Sequence, residues 1–149
     1  MPIRDCCNIG VVCCPPDASI PQVATLMRRH HVGDVIVVRE EGGERYPLGI
    51  VTDRDIVVET VAPQVDMDLV TAGDIMSSPL VTVQEDDSFS DTLQLMREHK
   101  IRRLPVVAEN GALRGIVTAD DIINMLTNEL SLVSRTLAEQ PIAESRIRR

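Results

Sequence analysis

Apolar residues along this chain fall into two kinds of run. Ile20, Val23, Ala24 and Met27 recur at the three- and four-residue steps of a helix face, as do Phe89, Leu93 and Met96. After each comes a pair of β-branched runs around a Gly-containing turn: VIVV to GIVT in the first half, LPVV to GIVT in the second. Such pairs predict β-hairpins. Short extended pieces, Val11 to Cys14 and Leu80 to Val83, precede the helices, and Ser19-x-x-Gln22 and Ser88-x-x-Asp91 carry helix-capping side chains. A second helix starts at each TDRD or TADD segment. The predicted order is β-α-β-β-α, twice, an α+β (mixed α/β) fold.

The halves match residue by residue. VGDVIVV (Val32 to Val38) resembles IRRLPVV (Ile101 to Val107) at an offset of 69, and Leu26-Met27-Arg28 recurs as Leu95-Met96-Arg97. GIVTDRDI (Gly49 to Ile56) recurs as GIVTADDI (Gly115 to Ile122) at an offset of 66, so the second hairpin loop is three residues shorter. The repeats are placed at 1–66 and 67–126, with a C-terminal extension and tail at 127–149. A unit of about 60 residues is marginal as an isolated core, so the two are expected to pack their sheets together and fold as one. NELSLVSRTL continues a helical pattern with Leu130 and Val133. The polar, Pro-containing end EQPIAESRIRR is expected to fray.

Composition narrows the function classes. The chain has 149 residues, no Trp, and only Tyr46 and Phe89 as aromatics, so the core must be aliphatic. A net charge of −8 argues against a nucleic-acid partner, since phosphate binding needs a basic footprint. No apolar run approaches the roughly 20 residues of a membrane helix, and MPIRD is not followed by a signal-peptide core. A cytoplasmic chain with reduced cysteines is expected.

The paired GIVTDRDI and GIVTADDI, the HKIRRLPVV segment and the element order resemble a pair of CBS domains, a regulatory module named after cystathionine β-synthase. The resemblance covers roughly residues 5 to 126. It implies a tandem pair about a pseudo-two-fold axis, usually paired again into a homodimer. It also implies clefts between the repeats that take adenosine-containing ligands: AMP, ADP, ATP or S-adenosylmethionine.

By this resemblance Asp55 and Asp121 hold ribose hydroxyls, with Thr52 and Thr118 at helix N-termini beside phosphate or ribose. Carboxylates suit that role, since one can accept from both vicinal hydroxyls. The same T-x-x-D spacing is also a plain capping box, and the two roles can coexist. Arg102 and Arg103 match the basic pair that meets phosphate in nucleotide-binding members, and guanidinium suits that charge. The first copy has Gly33-Asp34 there, and an Asp would repel phosphate. His30, His31 and His99 read as favourable charges at helix C-termini. No nucleophile–base pair stands in a motif, so catalysis is not expected.

All four cysteines lie in CCNIGVVCC, Cys6 to Cys14. By the 69-residue offset Cys6 and Cys7 match Ile75 and Met76, and Cys13 and Cys14 match Thr82 and Val83. Mostly apolar counterparts fit cysteine as a small hydrophobe. The C-x-x-C spacing of zinc and redox motifs is missing. By the resemblance, Cys13 and Thr82 border a ligand's base pocket. The leading expectation is a stand-alone regulatory ligand-binding protein, whose shift in packing on binding is read by the dimer or by a regulated partner protein. A ligand-free dimerisation module is the alternative, and a thiol or metal sensor a third reading.

Overall fold

The computed structural model describes residues 1–147, with side chains through residue 140. Two three-stranded sheets repeat one plan. β1 (Cys13–Cys14) leads into α1 (Ile20–His30), then the hairpin β2 (Asp34–Glu41) and β3 (Glu44–Thr52), then α2 (Asp53–Ile56), which a π-helical turn extends over Val57–Val61. After a short α3 (Ala72–Ile75), β4 (Val83–Gln84), α4 (Phe89–His99), β5 (Arg103–Val107), β6 (Leu113–Thr118) and α5 (Ala119–Ile147) repeat the series. The sheets are ordered β1-β2-β3 and β4-β5-β6, each with one parallel and one antiparallel pairing. The mixed α/β architecture expected from the repeat is therefore present.

Local chemistry accounts for the elements. Ser19 accepts from the Gln22 amide while Gln22 Oε1 accepts from the Ser19 amide, a complete capping box with Pro21 in the first turn. Ser88 Oγ accepts from the Asp91 amide at the equivalent start. The first hairpin closes through Gly42 (φ 58°) and Gly43 (φ 78°), both in the left-handed region that a tight two-residue turn requires. The second closes through a longer loop, 108–112, with Gly111 at φ 86°; contrary to the expectation of a shorter loop, the three missing residues come out of the strands, which are shorter than β2 and β3. Both hairpins carry a register shift at matching places, Val37/Val38 and Val106/Val107.

Two helix faces differ from the sequence pattern. In α1 the buried residues are Ile20, Val23 and Met27, while Ala24 is exposed. In α4 Thr92 is buried and Leu93 is 38% exposed. Thr92 sits where Val23 does in the repeat, and its hydroxyl donates to the Ser88 carbonyl at 2.9 Å, so burial leaves no polar group unmet. The segment expected to fray instead continues α5 to Ile147. Residues 148 and 149 lie outside the described residues. Among these, no helix is long and apolar enough to cross a membrane.

The repeats exchange their lead-in segments. Ile3 is fully buried in the second core with Val83, Leu104, Val106 and Val117, whereas Ala72 is buried in the first core with Val23, Val35 and Val51. Backbone bridges repeat the swap: Pro2 pairs with Ser88 as Thr71 does with Ser19, and Asn8 with Ile116 as Ser77 does with Ile50. Two glycines permit it. A Cβ on Gly115 would stand 2.7 Å from the Asn8 carbonyl oxygen, and one on Gly49 would stand 2.8 Å from that of Ser77. Each half thus completes the other's core, at about 1.5–3 kcal/mol for a fully buried Ile or Val. A third cluster of Ile36, Val38 and Leu113 joins the two sheets, with Cys13 and Ile116 packed against it.

Candidate functional site

β3 and β6 each end on the Thr of a T-x-x-D box. Thr52 Oγ1 accepts from the Asp55 amide at 3.1 Å, and Asp55 Oδ2 accepts from the Thr52 amide at 2.9 Å. Thr118 and Asp121 repeat this at the same two distances. Each carboxylate uses Oδ2 on its cap, and Oδ1 takes no part in it. The spacing alone does not mark a ligand, however. Thr71 and Asp74 make the same amide-to-carboxylate bond, at 2.9 Å, where α3 begins. These bonds hold the exposed Asp74 carboxyl below its ordinary value. Sequence reading passed over this third box, whose T-x-x-D signal was available.

The strands' register brings the two halves of the site together. Asp34 lies opposite Thr52 across β2–β3, and Arg103 opposite Thr118 across β5–β6. Arg103 Nη1 then donates to Asp34 Oδ1 at 2.5 Å, joining the start of one hairpin to that of the other. These are the residues that the 69-residue offset matches. The Asp34 side chain is 18% exposed, so this pair is better shielded than Arg102 with Asp120, 3.5 Å apart and both about three-quarters exposed. Arg102 therefore faces solvent beside α5, while Arg103 already holds an anion.

Asp121 lines a cleft of about 330 Å³ with Asp5, Cys6, Asn124, Met125 and Glu129. One wall is the exchanged lead-in of the first repeat and the other is α5. The lining carries three carboxylates and no cation. Sequence reading missed Asp5 and Glu129, because residue matching shows which positions correspond but not which core a lead-in joins.

Cys13 stands elsewhere. It pairs with Ile36 in β1–β2, two residues along β2 from Asp34, and its Sγ accepts from Arg45 Nη1 at 3.3 Å. It lines a cleft of about 580 Å³ with Cys14, Pro15, Val38, Arg45 and Leu48, a lining without any of the four Thr and Asp box residues. Thr82, its counterpart, is half-buried just before β4. Burial pushes all four thiols up from their ordinary value, Cys14 to about 11, and Arg45 offsets this only in part at Cys13. Cys6 and Cys7 pack on the second core and Cys14 in the first. Among the described residues no three His, Cys, Asp or Glu side chains converge to hold a metal ion.

The CBS domain family model matches residues 3–61 and 72–128. The chain is 38% identical over 128 residues to the CBS domain-containing protein YhcV of Bacillus subtilis, covering 85% of this chain and 87% of that one. It is 35% identical over 123 residues to hypoxic response protein 1 of Mycobacterium tuberculosis, with 83% of each covered. An uncharacterized protein of Methanopyrus kandleri, MK0525, is 42% identical over 110 residues. This match covers 74% of the present chain but only 55% of that relative.

Solved structures agree. The Pyrobaculum aerophilum CBS domain protein PAE2072, complexed with AMP, superposes with a TM-score of 0.72 at 30% identity, covering 81% of this chain and 89% of that one. The CBS domain pair of MJ0100, in complex with 5′-methylthioadenosine and S-adenosyl-L-methionine, gives 0.73 at 25%, covering 85% and 99%. Hypoxic response protein I with two coordinated zinc ions gives 0.71 at 32%, covering 84% and 98%. With two matches to the family model over most of its length, this chain belongs to the CBS domain family.

Proposed function

We propose that the protein is a regulatory binding module that takes an adenosine-containing ligand between its repeats, with Asp121 and Asp55 as ribose acceptors and Thr118 and Thr52 beside them. The observation that carries this reading is the meeting of both T-x-x-D boxes at the Arg103–Asp34 pair. The AMP, methylthioadenosine and S-adenosylmethionine complexes of structural neighbours support the ligand class. Charge favours a ligand with little negative charge. Arg103 is already neutralised by Asp34, and Asp5 and Glu129 beside Asp121 oppose phosphate. Of the expected ligands, S-adenosylmethionine fits this field better than ADP or ATP, and AMP stands between. Arg102 is left as the phosphate-facing cation, and Cys13, in a separate cleft, takes no part in this site.

A ligand acts here only by preferring one packing of the repeats over another, a shift that a second copy or a regulated partner protein then reads. Calorimetric titration with S-adenosylmethionine, methylthioadenosine, AMP and ATP tests the proposal. The expected affinities fall in roughly that order, and Asp121→Ala weakens binding. No heat with any of the four at millimolar levels would refute it.

The second reading, an assembly module without a small ligand, draws on a specific observation. All three T-x-x-D segments are satisfied as caps by their own amides. The same titration separates the two. For the thiol or metal reading, metal analysis of the purified protein and Cys-to-Ser variants are the check.

A further inference from the structure

The three residues that the second hairpin lacks fall between Val38 and Gly49, where the repeat offset drops from 69 to 66. They lengthen β2 and β3, whose outer ends wall the cleft of about 580 Å³ that holds Cys13. That size suits a small organic molecule. Cys13, Cys14, Pro15, Pro16, Val38 and Leu48 supply its apolar lining. A second cleft, of about 530 Å³, shares Cys13, Cys14 and Pro15 and is walled by Pro21 and Leu26 of α1. In the second repeat, Gln84, Glu85, Ala108 and Arg114 stand where Pro15, Pro16, Arg39 and Leu48 stand in the first, so this lining belongs to one repeat only.

Arg45 selects the occupant. It is half-buried in this cleft and takes part in none of the ion pairs among the described residues. Its Nη1 donates to Cys13 Sγ at 3.3 Å, and a thiol is a weak acceptor. Burial pushes that thiol up, so it stays protonated at neutral pH and offers the guanidinium no charge. Arg39 is already engaged: it pairs with Glu41 and lies 4.8 Å from the Tyr46 ring centroid. Glu40, opposite Arg45 in the strand register, is exposed and forms no ion pair with it. A half-buried cation against an apolar wall is thus left for an anion to complete. Polyphosphate does not fit, because Pro15 and Pro16 offer no N–H and the one unengaged guanidinium matches one carboxylate.

We propose that this cleft binds a monocarboxylate with an aliphatic body, its carboxylate on Arg45 and its chain over Cys14, Pro15 and Leu48. None of the T-x-x-D residues lines it, so the proposal does not rest on the adenosine reading. Cys13 also packs on the cluster that joins the two sheets, so an occupant bears on the seam between the repeats.

Calorimetry and amide chemical-shift mapping of the full chain with octanoate test this. A Kd of about 1 mM or tighter is expected, with shifts centred on the Cys13, Cys14 and Arg45 amides. Octylamine, with the same chain and the opposite charge, should bind about tenfold more weakly or worse. Inorganic phosphate should leave those amides unmoved. Arg45→Met keeps the apolar stem and should weaken octanoate about fivefold or more at an unchanged unfolding midpoint, with Arg45→Lys between it and the parent. Absence of octanoate binding at about 10 mM overturns the proposal. So does equal affinity for octylamine, phosphate moving the same amides, an Arg45→Met variant that binds like the parent, or shifts centred on Thr118 and Asp121.

Discussion

Arg103 and Asp34, residues that correspond in the two repeats, form an ion pair across the pseudo-two-fold, with Nη1 and Oδ1 2.5 Å apart. One symmetric position has diverged into a cation and an anion that meet. The pair ties the repeats together beside both T-x-x-D boxes and removes Arg103 from the charge available to a phosphate.

Releasing that arginine should change ligand preference. Asp34→Ala is expected to tighten AMP relative to methylthioadenosine by about tenfold, or about 1.4 kcal/mol. Calorimetry of both ligands reads the ratio, and an unchanged ratio would show that Arg103 does not face the phosphate. Because Arg103 is partly solvent-screened, a double-mutant cycle with Arg103→Ala should give a coupling of only about 1 kcal/mol.

The boxes have a structural role whether or not a ligand binds. Thr52→Ala and Thr118→Ala should each cost about 1 kcal/mol in urea unfolding, with Thr→Ser retaining most of it. Equal losses for Ala and Ser would mean that the methyl group, not the cap, matters.

Exchange of the lead-ins predicts a cross-repeat effect. Gly115→Ala forces a Cβ against the Asn8 carbonyl oxygen and should cost about 1–3 kcal/mol. Ile3→Ala should cost about 2–5 kcal/mol. In both variants, hydrogen exchange should quicken at the amides of Asn8 and Ile116, which bond to each other's carbonyls. Faster exchange in the first core alone would contradict the swap.

Burial of Cys14 links stability to alkaline pH. Its thiol is pushed from about 9 up to about 11, so the neutral form is favoured in the folded state. Its stabilising contribution is complete below pH 9 and is lost as pH rises through 11, by about 2–3 kcal/mol at most. Cys14→Ala should flatten that part of the profile measured by urea unfolding. An unchanged slope would assign the loss to other groups.

The repeat, the capping boxes, the two hairpins and the aliphatic cores were legible in the sequence, because each follows from local spacing and residue type. Ser19, Thr52 and Thr118 act on amides three residues away, and Gly42-Gly43 sets its own turn. The α4 face was misread at Leu93 because Thr92, polar by type, becomes apolar in effect once its hydroxyl is bonded within the helix.

Which core each lead-in enters could not be read from spacing. Ile3 and Ala72 look equivalent along the chain, and only long-range packing sends each to the other half. The same holds for the site. The sequence by itself determined that Thr52, Asp55, Thr118 and Asp121 begin helices, and that Asp34 replaces Arg103. Only the tertiary structure decided that those two opposite charges touch, that Asp5 and Asp121 line one cleft, and that Cys13 lines another. Local spacing settles hydrogen bonds a few residues long, whereas contacts across 69 residues depend on how two whole sheets pack together.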